Sequence, residues 1–166
     1  MKIIETNRLI IREFMPEDSD LLLLYSQEEI AKKELPDEVL ESKEKATELI
    51  KMFKEKYPYD YPLVYAIESK EAGCMIGHIC LSPISEGIEV GYAIATEYQG
   101  KGYATEVVRP FVEWGKKKQK IDKIYAIVKI SNIASLKTVE KSGFTFQSEG
   151  VRNFWGDLVT MRVFTI

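Results

Sequence analysis

The segment from Ile88 to Val128 most constrains what this chain can fold into. An apolar, β-prone run at residues 88–95 leads into Gln99-Gly100-Lys101-Gly102-Tyr103-Ala104. An amphipathic helical stretch follows at 103–118, then a second apolar run at 123–128. Strand, glycine turn, helix and strand in that order make a right-handed crossover, which sets the two strands parallel in one sheet. The turn has a second consequence. Glycines let backbone approach a ligand closely, and a helix start offers unpaired N–H groups and the positive end of the helix dipole. This is an anion cradle, suited to a phosphate or pyrophosphate.

The flanking sequence predicts the rest of the sheet. Residues 8–14 read as a first strand, and Pro16-Glu17-Asp18 opens a helix with proline and acids in its first turn. A second helix starts at Ser42, whose capping-box partner is Lys45 rather than Glu or Gln. Its apolar positions Ala46, Leu49, Ile50 and Phe53 follow helical spacing. Tyr57-Pro58-Tyr59-Asp60-Tyr61-Pro62 breaks it. Runs at 63–68, 73–81 and 88–95, joined by short turns, form an antiparallel meander, with Ser82-Pro83 closing its middle strand. The helix over 103–118 contains Pro110, which should kink it. A helix over 132–141 ends at Gly143, and strands at 144–149 and 158–166 finish the chain. The expected fold is α/β (α+β): one domain over residues 1–166, with a mixed sheet of about seven strands flanked by helices.

Composition narrows the function. At 166 residues the chain is long enough to bury a core, and its 45% hydrophobic and 30% charged residues are ordinary for a globular protein. A net charge of −3 argues against a general nucleic-acid binder. Cys74 and Cys80, with His78 as the single histidine, do not make a zinc site or a disulfide framework, and buried free thiols are expected. No metal is expected. No run reaches a membrane-spanning length and the N-terminus lacks a signal-peptide pattern, so a cytoplasmic location is expected.

The glycine turn fits neither common nucleotide pattern. The ATP/GTP loop needs Gly-Lys followed by Ser or Thr, which is absent. The dinucleotide pattern needs a small residue where Thr105 stands, and Asp122 precedes its strand instead of ending it. A purely structural turn remains open. Gln99-x-x-Gly102-x-Ala104 resembles the acetyl-coenzyme A motif of the GNAT acetyltransferase superfamily. Glu89-Val90-Gly91-Tyr92, Ala104-Thr105-Glu106, Asn132-x-x-Ser135 and Lys141-Ser142-Gly143-Phe144 are similar to the superfamily as well. The opening, Asn7 to Arg12 with Pro16-Glu17-Asp18, looks most like its ribosomal-protein-alanine acetyltransferase (RimJ/RimL-like) branch.

The resemblance implies a function and places it on residues. Gln99, Gly100, Lys101, Gly102, Tyr103 and Ala104 would hold the coenzyme A pyrophosphate. The two parallel strands would splay to admit the pantetheine arm along the backbone of Ala93, Ile94 and Ala95, with a bulge near Gly91-Tyr92. Asn132 would bond the arm, and Ser135 would lie near the sulfur. An acetyl group would pass directly from acetyl-coenzyme A to a primary amine, either a protein N-terminus or a small molecule. Glu89, in an apolar strand beside the gap, is the candidate base, because burial would raise its pKa toward the working range. The Ile94 N–H would stabilise the oxyanion. Ser135 is the candidate acid, with Tyr92 and Tyr125 as alternatives.

Other positions stay open. His78 suits either the acceptor site or a plain strand, and Tyr57, Tyr59 and Tyr61 either an acceptor pocket or loop packing. Trp155 would border the acceptor, and Lys137 and Lys141 would reach the coenzyme's 3′-phosphate. Lys116, Lys117, Lys118 and Lys120 complement a helix C-terminus. A monomer or homodimer without nucleic-acid or membrane partners is expected. The alternative function is a catalytically silent coenzyme A-binding module.

Overall fold

Leu63, Tyr65 and Ile67 point into one apolar cluster while Val64 and Ala66 point into another, so their strand is buried on both faces. That strand lies inside an eight-stranded sheet in a computed structural model that describes residues 1–57 and 61–166. The elements are β1 (Lys2–Glu5), β2 (Leu9–Arg12), α1 (Asp18–Ser26), α2 (Glu29–Glu34), a 3-10 turn (Pro36–Glu38), α3 (Lys43–Lys56), β3 (Leu63–Ser69), β4 (Cys74–Ile84) and β5 (Gly87–Ile94). A second 3-10 turn (Thr96–Tyr98), α4 (Tyr103–Gln119), β6 (Tyr125–Lys129), α5 (Ile133–Lys141), β7 (Thr145–Phe154) and β8 (Asp157–Thr165) complete them. The strand order is β1-β2-β3-β4-β5-β6-β8-β7.

α4 and α5 cover one face through Tyr103, Val107, Phe111, Leu136 and Val139. α1 and α3 cover the other through Leu22, Tyr25, Ala46, Ile50 and Phe53. Alternation along each strand sends successive side chains into these two clusters in turn. Arg12 fixes the start of α1. Its guanidinium donates to both Asp18 oxygens at 2.7 and 2.9 Å and also contacts Glu68. Asp18 Oδ2 accepts the Met15 N–H at 2.7 Å.

β5 and β6 are parallel, as the crossover requires, and share the single rung Glu89↔Tyr125. Beyond it the strands diverge and leave a gap in the sheet. α4 runs through Pro110 to Gln119, and Lys116, Lys117 and Lys118 occupy its last turn. Ser42 caps α3, its Oγ accepting the Lys45 N–H at 3.3 Å.

The expected mixed sheet is present, with Lys2–Glu5 as an eighth strand that pairs antiparallel with Leu9–Arg12. Three details differ from expectation. α2 and its following turn lie where no element was expected. β4 continues past Ser82-Pro83 to Ile84, where Pro83 faces Ile88. β3 ends opposite Leu81, so no strand on that side asks for the missing proline N–H. Finally, β5 pairs with β4 in unbroken register from Gly87 to Ile94, with no bulge at Gly91-Tyr92. Gly91 serves packing instead: a Cβ there would stand 2.9 Å from Cys80 Sγ.

Candidate active site

The gap between β5 and β6 opens into a cavity of about 930 Å³. Ladder alternation decides which backbone groups face it. The Ala95 N–H donates to the Ile76 carbonyl at 2.9 Å, so the backbone groups of Ala95, Ala93 and Gly91 turn toward β4. Those of Val90, Tyr92 and Ile94 turn toward the gap. Of the three expected backbone contacts, only Ile94 therefore presents polar atoms to the gap. Its carbonyl already accepts Gln99 Nε2 at 2.7 Å, which leaves the N–H. Tyr92 joins it on the same edge.

Glu89 stands where the splay begins. Continuing the register past Glu89↔Tyr125 would pass the Ile127 N–H to the Val90 carbonyl. The Glu89 carboxylate takes that N–H instead, at 3.1 Å. Burial raises the Glu89 pKa to about 7, and the Ile127 N–H only partly opposes the shift. The cross-strand pairs Glu89↔Ser82, Gly91↔Cys80 and Ala93↔His78 put these side chains on the α1/α3 face.

On the opposite face Tyr92 meets Ser135 of α5, with their hydroxyls 2.8 Å apart. Burial raises the Tyr92 pKa, against the Ser135 hydrogen bond. Asn132 caps α5: its Oδ1 accepts the Ser135 N–H at 3.1 Å, and its Nδ2 donates to Glu34 at 3.4 Å. The expected base and acid thus sit on opposite faces of the sheet with the gap between them.

The glycine loop lines the cavity through Gln99, Gly100 and Gly102. Gly100 and Gly102 have φ of 74° and 78°, a region where side chains are strained, and this explains both glycines. Gly102 precedes α4 with no side-chain cap, so the first N–H groups of the helix stay available. Arg8 was not anticipated in the site, yet it shapes this loop. It donates to the Lys101 carbonyl at 3.0 Å and to Glu106 at 2.7 Å, and it lies 4.6 Å from the centre of the Tyr103 ring. Glu106 also accepts the Thr6 hydroxyl at 2.6 Å and the Arg8 N–H at 2.9 Å. The one acid in the first turn of α4 is therefore neutralised, and the helix end keeps its attraction for anions.

Glu89, Ala93, Ile94, Gln99, Gly100, Gly102, Tyr103, Ala104, Asn132 and Ser135 all line the cavity. Lys137, Lys141 and Trp155 line it too, whereas Ala95, Lys101 and Tyr125 do not. Lys101 instead places its ammonium 5.2 Å from the Tyr98 ring centre. Tyr57 stacks on Tyr65 at 4.5 Å and, with Tyr61, packs against the core away from the cavity. Tyr59 lies outside the described residues. Cys74 and Cys80 are free and half-buried, and burial pushes the Cys80 thiol up to about 12.

α2 lines the cavity through Ile30, Ala31 and Glu34, pinned at both ends. Glu28 accepts the Thr96 N–H at 3.0 Å and its hydroxyl at 2.6 Å. Glu34 pairs with Lys129 at 3.3 Å. No local sequence signal marks these contacts, because each joins residues far apart in the chain. Among the described residues, no group of three or more His, Cys, Asp or Glu is placed to hold a metal ion, and no helix is long and apolar enough to cross a membrane.

The profile of the Acetyltransferase (GNAT) domain matches residues 8–145. This chain belongs to the GNAT acetyltransferase family. The N-acetyltransferase YoaA of Bacillus subtilis, described as uncharacterized, is 31% identical over 153 residues, which cover 90% of this chain and 85% of that protein. Among solved structures, the GNAT fold here superposes on RimL, a ribosomal alpha-N-protein acetyltransferase in complex with coenzyme A. That match has a TM-score of 0.82 at 16% identity and covers 100% of this chain and 97% of RimL. It also superposes on a chimera of spermidine N-acetyltransferase SpeG from Vibrio cholerae and hSSAT, with a TM-score of 0.75 at 21% identity, covering 96% and 95% of the two chains. At these identities the likeness is one of fold. The two structures are named for different acceptors, so the GNAT branch is not fixed by them.

Proposed function

We propose that this GNAT protein transfers an acetyl group from acetyl-coenzyme A to a primary amine, of a protein N-terminus or of a small molecule. One observation carries the reading: a stretch of β5 backbone, from Val90 to Ile94, that lacks a β6 partner on the gap side runs into a glycine loop at the free N-terminus of α4. An extended ligand arm with a pyrophosphate at one end fits both parts. Gln99, Gly100, Lys101, Gly102, Tyr103 and Ala104 would hold the pyrophosphate, and the Tyr92 and Ile94 backbone would hold the arm. Lys137 and Lys141 supply cations along the cavity wall. Acetyl-coenzyme A supplies an activated thioester carbonyl.

The chain's own residues handle the protons. An incoming ammonium must lose one before it can attack, and Glu89, poised near neutrality, accepts it. Strand rise puts Glu89 about 10 Å from Tyr92 and about 17 Å from Ile94, so the proton reaches it through water. The Ile94 N–H faces the gap as an oxyanion donor. As the amine's C–N bond forms and the thioester C–S bond breaks, Ser135, bonded to Tyr92, would give its proton to the departing thiolate from the opposite face. The opening motif supports the ribosomal-protein-alanine branch, and with it an N-terminal amine as acceptor.

Thermal melting with acetyl-coenzyme A tests the cosubstrate, since a ligand at a hundredfold over Kd adds about 2.7 kcal/mol, or roughly 5–11 °C for a domain of this size. No shift at millimolar concentration sinks the proposal. Release of coenzyme A thiol is then followed with spermidine and with peptides of varied N-terminal residue. Binding without release from any amine favours the silent module instead.

A further inference from the structure

His78, the single histidine of the chain, is buried on β4. Its Nδ1 is hydrogen-bonded to the Tyr25 hydroxyl, and its Nε2 lies 3.3 Å from Glu38 Oε2. Tyr25 and Glu38 both line the cavity, on the face of the sheet that carries Ala93, Gly91 and Glu89. His78 is the cross-strand partner of Ala93, one residue from the Ile94 edge. The cluster is thus closer along the strand to the oxyanion donor than Glu89 is.

The chemistry of the three groups sets their polarity. An ionised carboxylate only accepts, so the proton of a neutral imidazole is favoured on Nε2, facing Glu38. Nδ1 is then the acceptor, and the Tyr25 O–H must donate to it. The hydroxyl's one hydrogen is committed, and toward the cavity its oxygen offers only lone pairs.

We infer that Tyr25 is the residue that recognises the acceptor's amine, its oxygen accepting an N–H of that amine, and that His78 and Glu38 are positioning residues that hold the hydroxyl in this sense. The inference rests on the acetyltransferase reading and adds to it an acceptor-side contact. It selects acceptors that donate hydrogen bonds. Oppositely polarised groups such as carboxylates and carbonyls meet lone pair against lone pair at this point.

Two measurements on the tag-free full-length chain test it. The imidazole of the one histidine gives a single set of ¹⁵N resonances, which report the tautomer directly. Nε2-protonated imidazole is expected, with the proton moving toward Nδ1 in Glu38→Gln, whose amide can donate to Nε2. A proton on Nδ1 in the unsubstituted chain overturns the inference. Steady-state kinetics with spermidine and with an alanine-first peptide supply the second readout. Tyr25→Phe should raise the acceptor KM about tenfold or more while the acetyl-coenzyme A Kd stays unchanged, the loss expected for a hydrogen bond to a charged group. His78→Asn, which keeps an acceptor oxygen, should retain more of the acceptor affinity than His78→Leu. An unchanged acceptor KM in Tyr25→Phe overturns the inference and leaves the acetyltransferase reading standing. Failure of the unsubstituted chain to bind acetyl-coenzyme A removes both.

Discussion

The Glu89 carboxylate accepts the Ile127 N–H at 3.1 Å, and so stands where the next rung of the β5–β6 ladder would form. One side chain both opens the gap and sits beside it. Burial raises its pKa from 4.5 to about 7, so the folded protein keeps a proton that the unfolded chain releases. The stability this group contributes is full below about pH 4.5 and is lost as pH rises through about 7, to an extent of order 3 kcal/mol. Glu89→Gln removes the titration. It is expected to melt higher relative to the unsubstituted protein at pH 8.5 than at pH 5, and melts at the two pH values check this. Acetyl transfer should rise with pH through about 7 in the unsubstituted protein. In Glu89→Gln that limb should vanish and kcat should fall by about 10²–10⁴. An unchanged pH–rate profile removes Glu89 as the base.

Tyr92 and Ser135 share one hydrogen bond across the gap's other face, and either can be its donor. Two hydroxyls in one chain act as a unit, so their effects should not add. Ser135→Ala and Tyr92→Phe should each lower kcat about tenfold to a hundredfold, and the double variant should lose little more than the worse single one. The measurement is a double-mutant cycle on kcat. Full additivity would show that the two hydroxyls work separately.

What could be read from the chain, and what could not, divides by range. The crossover and the glycine turn were legible because their signals are local: apolar periodicity, glycines that the structure places at positive φ, and a helix beginning at Tyr103, directly after Gly102. The cavity's floor followed from these. Its walls did not. α2 has only Ile30 and Ala31 as apolar residues and is held by Glu28 on Thr96 and Glu34 on Lys129, contacts that no periodicity reports. β1 is four residues long and depends on its pairing with β2. Gly91 showed that its position resists a side chain, but not why. A bulge and a close thiol leave the same mark in sequence, and only the unbroken register with β4 separates them.

Arg8, in the bend just before β2, draws the loop and the helix start together across 93 and 98 residues of chain, through the Lys101 carbonyl and the Glu106 carboxylate. Arg8→Met keeps much of the stem and removes both contacts. Glu106 is then left beside the anion site with Thr6 and one backbone N–H as its partners. Acetyl-coenzyme A affinity should fall about fivefold to tenfold, the worth of roughly 1 kcal/mol of charge-assisted bonding at a partly exposed site. The amine KM should stay unchanged. Calorimetric titration of acetyl-coenzyme A into the two proteins checks the first statement, and steady-state kinetics the second.

Asp18 holds two Arg12 donors and the Met15 N–H within a pocket where both ionic side chains are nearly out of solvent. Removing the carboxylate leaves a buried guanidinium with Glu68 as its remaining ionic partner. Breaking such a pair from one side costs about 3–5 kcal/mol, because the orphaned charge stays desolvated. Asp18→Ala should therefore melt about 6–20 °C lower, in a domain where each kcal/mol moves Tm by about 2–4 °C. Asp18→Asn keeps one acceptor oxygen and should lose less. The pair anchors the first turn of α1, whose Tyr25 reaches the cavity, so the damage should extend to function. Below its melting range, Asp18→Asn should show a higher acceptor KM with an unchanged acetyl-coenzyme A Kd. Equal loss of both affinities would place the effect in the whole sheet and not in α1.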